Sequence, residues 1–376
     1  MNNKNQLLDD DAKICAAMKA KIRESERFNP KEVRVETKNT QMLALISRIE
    51  HKEIELNPSF QRSPDVWDAE KQSMLIESMM LNIPIPAFYM DATDDDKWIV
   101  IDGLQRLNTV QNFVIKKILK LKCLNIMKEY EDCKFDDLPS EMQRRIQETD
   151  VVIYQIKKGT PEAVRYEIFN RINTGGTPLS PQEIRHALHP GPFLLFLEKL
   201  AGSQEFLTAT RGSISSRRMG DRECVLRFMA FSFMPPKDYI KNDFNLFLHK
   251  AMDVGNRLSL QKMAEYEARF YRAMDVAYRI FQDRAFRKYY INMQNRPPIS
   301  KSLFESISIN IDSLTHEQQE ILVQRRREVN ARMEMLFEKD KDFEAAILQG
   351  SASGAKRIRY RFAVIKRMFE DIISGY

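Results

Sequence analysis

The sequence predicts an α+β fold, with a small sheet and its covering helices in the first half of the chain and helices alone in the second. Three observations lead there. Short runs rich in β-branched and aromatic residues, Ala87 to Met90, Trp98 to Ile101 and Val151 to Ile156, alternate with segments of helical apolar spacing. Beyond Gly191 the chain reads mainly as amphipathic helices, punctuated at Pro235-Pro236 and Pro297-Pro298. At 376 residues the chain also exceeds the roughly 250 residues over which a single core usually holds together, so two or three domains are expected.

Composition narrows the class. Hydrophobic residues make up 43% and charged residues 30%, with only 12 Gly and 15 Pro, the balance of a folded, helix-rich protein. The longest apolar stretches, near Pro192 to Leu197 and Val225 to Met234, are too short or too interrupted by Arg227 to cross a bilayer. No membrane partner is expected, and the polar, acidic start lacks the features of a secretory signal, which predicts a cytoplasmic protein. Four cysteines (Cys15, Cys123, Cys133, Cys224) form no CxxC pair and have no histidine nearby, so neither a zinc site nor a disulfide framework is predicted. The net charge of +6, from 59 basic and 53 acidic residues, says little about nucleic acid. Local clusters say more: Arg211, Arg217, Arg218 and Arg222 in one loop, and Lys356, Arg357, Arg359, Arg361, Lys366 and Arg367 on the last helix. Each cluster reads either as a solvated face or as a polyanion-binding surface.

Residues 1 to 40 look like a polar extension, with a short helix from Asp11 to Arg23. Leu43, Leu45, Ile46 and Ile49 predict a helix that ends before a short strand at Ile54-Glu55-Leu56. Asp68 is placed as the N-cap of a helix carrying Leu75, Ile76, Met79 and Met80, which Ile83-Pro84-Ile85-Pro86 cannot continue. Two strands joined by the acidic turn Asp91 to Asp96 follow, and the second runs directly into Asp102-Gly103. The next helix is expected to carry Leu107, Val110, Val114 and Ile118 on one face. After the strand at Val151 come a helix from Pro161 to Arg171, a glycine-rich loop, and a helix opened by Ser180, Pro181 and Glu183 as a capping box.

Three constellations could carry chemistry. In Ile101-Asp102-Gly103-Leu104-Gln105-Arg106 a strand turns through glycine into a helix, where unpaired amides and the helix dipole favour an anion. Arg106 could fork onto phosphate oxygens and Gln105 could supply a directed hydrogen bond. Asp102 could orient Arg106, bind a sugar hydroxyl or hold a divalent cation, or it could merely cap the helix. The second is Phe60-Gln61-Arg62 with Trp67, which reads either as a pocket wall or as surface charge beside a core tryptophan. The third, Phe169-Asn170-Arg171-Ile172-Asn173-Thr174-Gly175-Gly176, suits closure over a base or ribose, or is a helix C-cap.

In this order, and together with Leu75-Ile76-Glu77-Ser78, Ile83-Pro84-Ile85-Pro86 and Thr177-Pro178-Leu179-Ser180, these segments resemble the DGQQR-motif family. That family includes the N-terminal half of GmrSD-type modification-dependent restriction enzymes and has a ParB/sulfiredoxin-like fold. The resemblance spans residues 41 to 190. It implies a ParB/sulfiredoxin-like nucleotide-binding domain with a small mixed sheet over these residues, ahead of the helical domain that the apolar spacing predicts over residues 191–376. It also implies a nucleoside triphosphate ligand, with Mg2+, in a bacterial system that defends against phage DNA. By position, Asp102, Gln105 and Arg106 would be the catalytic, phosphate-handling residues, and Gln61, Arg62, Gly103, Asn170, Arg171, Asn173, Thr174 and Gly176 would line the nucleotide site. Leu104 stands where the family usually has Gln: if that glutamine positions water, binding is left in place and the case for hydrolysis weakens, and otherwise Leu104 simply packs in the first turn. The C-terminal His-Asn-His nuclease of larger members is not found: His186 and His189 lie too early, and His249 and His316 stand alone. Sulfiredoxin-type reduction is disfavoured because no cysteine adjoins the motif.

The reading is therefore a nucleotide-binding protein, at most a weak NTPase, without nuclease activity of its own. Its helical half would contact DNA, through Arg217, Arg218, Arg357 and Arg359, or a separately encoded nuclease, and homodimerisation stays open. The competing reading is a non-enzymatic DNA-binding module whose pocket and basic clusters take backbone phosphate.

Overall fold

The computed structural model describes residues 2–24, 33–54, 56, 67–172, 179–240, 243–288, 296–348 and 354–375. They fall into two compact units, one of Arg27–Ser180 and one of Met1–Glu26 with Pro181–Tyr376. The chain starts with α1 (Asn2–Glu24), which belongs to the second, helical unit. The sheet unit then runs β1 (Val35–Gln41), α2 (Met42–Glu50), α3 (Ala69–Met80), β2 (Phe88–Ala92), β3 (Ile99–Asp102), α4 (Leu104–Val110), α5 (Ser140–Gln147), β4 (Asp150–Lys157) and α6 (Glu162–Ile172).

Its four strands lie in the order β1-β4-β2-β3. β1 is antiparallel to β4, β4 parallel to β2, and β2 antiparallel to β3, so the sheet is small and mixed. Alternation along the strands sends Phe88, Met90, Val100, Val151 and Ile153 to one face, where they meet Leu45, Ile46, Ile76, Met79, Leu107 and Val110 of the helices in a common core. Asp68 caps α3 as expected, accepting the Lys71 N–H at 2.9 Å.

Several elements differ from the sequence expectation. β1 lies inside the segment read as a polar extension. As Val-Glu-Thr-Lys-Asn-Thr-Gln it shows no apolar alternation and is almost wholly exposed. An edge strand needs only backbone pairing, which β1 makes from Val35 opposite Ile156 to Gln41 opposite Asp150. α1 is likewise more than an extension: it packs on other helices of its unit, with Met18 fully buried and Asp11 2.9 Å from Lys262. The helix after Arg106 is shorter than its apolar spacing suggests. Residues Gln111–Ile115 form a π turn, Asn112 O accepts the N–H of both Ile118 and Leu119, and Lys117 adopts a left-handed φ of 55°, so Ile118 ends 64% exposed. Ile54 makes a single bridge to Trp98 in place of a strand, and Glu55 lies outside the described residues.

The helical unit continues with α7 (Pro181–Leu188), α8 (Pro192–Ala201), α9 (Gln204–Thr210), α10 (Gly220–Phe233), α11 (Phe244–Gly255) and α12 (Leu260–Phe281). It closes with α13 (Lys301–Asp312), α14 (His316–Gln324), α15 (Arg326–Lys339), α16 (Lys341–Leu348) and α17 (Ala355–Ser374). A buried ionic network crosses it. Arg227 meets Glu223 at 2.8 Å and Glu305 at 2.9 Å, Lys301 meets Glu223 at 2.7 Å, and Glu305 also holds Arg361. Arg185 of α7 is fully buried beside Glu223, bonded to Gln182 and Asn245. Through Arg185, α7 is tied to the interior of this unit, which starts at Pro181. None of the described helices is long and apolar enough to cross a membrane.

Glu77 of α3 organises the loop beyond α4. It is 5% exposed, and its carboxylate accepts the N–H groups of Asn125, Ile126 and Met127 at 2.8–3.2 Å. Burial alone would raise its pKa, but the three amides outweigh burial and hold it below the ordinary carboxylate value. A lowered folded-state pKa means that the contribution is complete above the ordinary range and disappears as pH falls through the lowered value. Both tryptophans of the chain, Trp67 and Trp98, lie in the sheet unit, so their fluorescence reports its unfolding. In urea at pH 7, Glu77→Ala is expected to destabilise that unit by about 2–4 kcal/mol, with the difference from wild type shrinking below pH 4; equal midpoints at pH 7 would show that the loop does not depend on this carboxylate.

Candidate functional site

The second face of the sheet carries polar and aromatic groups. Because Phe88, Met90 and Ala92 point into the core, Tyr89 and Asp91 point away from it, as do Tyr154 and Ile156 on β4. Tyr89 and Tyr154 sit opposite each other in the parallel pair and stack, ring centroids 4.8 Å apart and planes 19° from parallel. Both residues are half-buried, so they form a ledge with exposed aromatic surface.

A bulge brings Asp102 to this ledge. Met90 pairs with Val100 while Tyr89 pairs with Asp102, leaving Ile101 as the extra residue on β3. Without it, strict alternation would send Asp102 to the same side as Val100, into the core; the inserted residue re-aims it beside Tyr89. Asp102 Oδ2 accepts from Arg106 Nη2 at 2.8 Å, and its side chain is 34% exposed. Oδ1 has no hydrogen bond among the described residues.

Gly103 makes the following turn. Its φ of 99° is left-handed, and an added Cβ would lie 2.4 Å from Phe88 Cδ1. The first intrahelical bond runs from Leu107 N–H to Gly103 O, so the amides of residues 104–106 precede the helical ladder, as the sequence suggests.

Arg106 is placed differently from expectation. It is buried, donates to Pro86 O and, at 3.1 Å, to Ala87 O as well as to Asp102, and its guanidinium lies 4.5 Å from the centre of the Phe88 ring. Burial lowers its pKa and Asp102 opposes that effect. The fork expected to meet phosphate is thus occupied by the protein's own carbonyls, which ties the Pro-rich segment before β2 to the glycine bend. Gln105 also points inward: its Oε1 accepts the Trp67 N–H at 3.3 Å. Leu104 and Trp67 both pack against the core, which for Trp67 favours the core reading over the pocket wall.

Further along the face, Asp91 is 1% exposed and pairs with Arg165 of α6 at 3.0 Å, and its other oxygen accepts the Thr93 N–H. Arg165 Nε is buried without a hydrogen-bond partner among the described residues. Tyr89, Tyr154, Asp91 and Arg165 escaped the sequence reading; the only signal was the aromatic content of the two strands. Of the predicted lining residues, Gln61, Arg62, Asn173, Thr174 and Gly176 lie outside the described residues, as does the side chain of Asn170. Arg171 is exposed, 3.7 Å from Glu167.

In the helical unit the predicted nucleic-acid contacts are dispersed. Arg217 is exposed, Arg218 lies 3.6 Å from Glu183, Arg357 is half-buried, and Arg359 donates to Tyr239 O at 3.0 Å. The basic run on α17 is not one solvated face, since Arg361 is buried against Glu305. Nor does His249 stand alone: its Nδ1 is 2.7 Å from His189 Nε2, and His189 Nδ1 is 3.0 Å from Asp253. Among the described residues no group of three or more His, Cys, Asp or Glu side chains could hold a metal ion.

Replacing Arg106 by Ala is expected to destabilise the sheet unit by about 3–5 kcal/mol, because two carbonyls and a carboxylate lose a shared buried partner. The ammonium introduced by Arg106→Lys could satisfy only part of that set, and this variant should fall in between. Tryptophan-monitored urea unfolding measures both, and wild-type stability in Arg106→Ala would mean that the guanidinium does not hold this segment. Gly103→Ala should also unfold early, from left-handed strain and the Phe88 clash combined.

Residues 43–190 match the family model described as GmrSD restriction endonuclease, N-terminal domain. No curated protein and no solved structure matches the chain.

Proposed function

We propose that the chain, whose residues 43–190 match the model of the N-terminal domain of GmrSD restriction endonucleases, is the nucleotide-binding component of a restriction-like system defending bacteria against phage. The ledge of Tyr89, Tyr154 and Asp102 is its nucleotide site in this reading. The observation that carries it is the bulge at Ile101, which turns Asp102 out of the core and leaves one carboxylate oxygen open beside two stacked rings. A nucleobase gains from stacking on exposed aromatic surface whatever its identity. An open carboxylate oxygen suits a ribose hydroxyl or a hard cation carried by the phosphates.

Within the ledge, Asp102 is the group that touches the ligand, and Arg106 acts through it by fixing the carboxylate plane. Mg2+ fits the donor set modestly: Asp102 would give one oxygen, while Asp91 is already bound to Arg165, so most of the coordination shell would come from phosphate and water. Leu104 packs into the core and brings no group that could orient water, which supports binding with slow or absent hydrolysis. The ParB/sulfiredoxin-like fold implied by the motifs belongs to this proposal, and the mixed four-stranded sheet is compatible with it. Contact with DNA or with a separately encoded nuclease would fall to the helical unit.

Calorimetric titration of the full chain with the four Mg2+-ribonucleoside triphosphates tests the reading. At least one should bind, and Asp102→Asn and Tyr154→Ala should each weaken it by roughly 5- to 100-fold, as expected for about 1–3 kcal/mol per lost contact. Wild-type protein that binds none of the four, or variants that bind as tightly as wild type, would remove the ledge from consideration.

A further inference from the structure

A second anion site is suggested by the helical unit, where the chain gathers arginines from segments far apart in sequence. The C-terminal end of α12 and the first turns of α15 enclose an open surface cleft of about 450 Å3. Its apolar side includes Ile280 and Phe281, and its polar side Arg284, Arg326, Arg327 and Glu334. Glu334 is already held by Arg284, and Asn330 bonds Ile280 O at 3.0 Å, bracing α15 against α12. Arg326 and Arg327 are exposed and have no ion pair among the described residues. The surplus of positive charge extends past the rim: Asp283, next to the lining residue Gln282, holds Arg211 at 2.6 Å through its carboxylate and Arg296 at 3.3 Å through its backbone oxygen.

Five guanidinium groups therefore surround two carboxylates, Asp283 and Glu334, leaving a local charge of about +3 at a concave surface. Elsewhere in this unit most well-placed arginines are matched by carboxylates or carbonyls, as at Arg227, Arg269 and Arg279. Two adjacent unmatched guanidinium groups in a cleft offer planar donor forks to tetrahedral oxyanions, the geometry at which arginine surpasses lysine. An acidic peptide would meet Glu334 in the same cleft, whereas a phosphate is small enough to sit between Arg326 and Arg327. We infer that this cleft is a phosphate-binding subsite, separate from the Tyr89 ledge, whose ligand is a phosphate group of either a nucleic-acid backbone or a free phosphorylated molecule.

Two arms of one experiment separate these sources. Fluorescence anisotropy of a labelled duplex of about 20 base pairs is followed across salt concentrations, and thermal unfolding is followed with and without inorganic pyrophosphate. The variant pair is Arg326→Ala/Arg327→Ala, at exposed positions where alanine supports the helix, against Lys366→Ala/Arg367→Ala, which removes the same charge from α17. If backbone phosphate is the ligand, the first variant loses about tenfold or more in duplex affinity, its salt slope flattens by about 1.8 for two lost contacts, and the α17 control changes little. If a free phosphorylated molecule is the ligand, pyrophosphate raises the melting temperature of wild type and control but not of the Arg326/Arg327 variant. The subsite is overturned if wild type responds to neither probe, if the Arg326/Arg327 variant responds like wild type to both, or if the α17 control loses as much. Both arms are run without nucleotide and read on the Arg326/Arg327 variant, so failure here is distinguishable from failure of the nucleotide ledge.

Discussion

A guanidinium removed from water must find acceptors, and in the sheet unit Arg106 finds them on three sides: the carbonyls of Pro86 and Ala87 and the carboxylate of Asp102, with the Phe88 ring beneath. The entry to β2, the end of β3 and the start of α4 are held together by that one side chain. Gly103 is the necessary complement, because any Cβ there would strike the ring over which the guanidinium lies. Burying an unpaired charge would cost several kcal/mol, so the clamp is stable only as a complete set.

The clamp also decides what the motif can offer a ligand. Of the residues whose chemistry most suggests phosphate recognition, Arg106 has its guanidinium, and Gln105 its Oε1, engaged by the protein itself. Asp102 is left with one oxygen open, and the bulge at Ile101 sets it beside the tyrosine pair. In the proposed nucleotide site, preorganisation of this kind would shift recognition from a flexible arginine to a fixed carboxylate and two stacked rings, which would lower the entropy that binding must overcome.

The helical unit handles charge in contrasting ways in its interior and at its surface. In the helical unit Glu223 and Glu305 are almost fully buried; burial pushes the Glu223 carboxyl up, yet Arg227, Lys301 and Arg185 outweigh it and hold that group down to about 2. Such a network fixes the relative placement of α7, α10 and α13 by demanding specific partners. At the surface near α15 the pattern reverses, with cations exceeding anions, and matched interior charge beside unmatched surface charge is what separates an architectural network from a surface that attracts an anion.

Much of the sheet unit was legible from residue order. Asp68 as a cap, the β2–β3 pair, the glycine bend and the β4 run all follow from local rules about caps, alternation and positive φ, which depend on neighbours within a few residues. β1 was not legible, because an edge strand of polar residues is selected by the backbone partner that β4 supplies. The direction of Asp102 depended on a one-residue bulge, and the fate of Arg106 on carbonyls about twenty residues earlier, so the motif's apparent phosphate fork became a clamp only in three dimensions. The pairing of His189 with His249 and the gathering of Arg211, Arg284, Arg296, Arg326 and Arg327 likewise required distant segments to meet. Sequence alone determined which backbone conformations and helix faces were available; tertiary packing decided which polar groups found partners inside the protein and which were left for a ligand, since desolvation and charge pairing depend on neighbours that chain order does not specify.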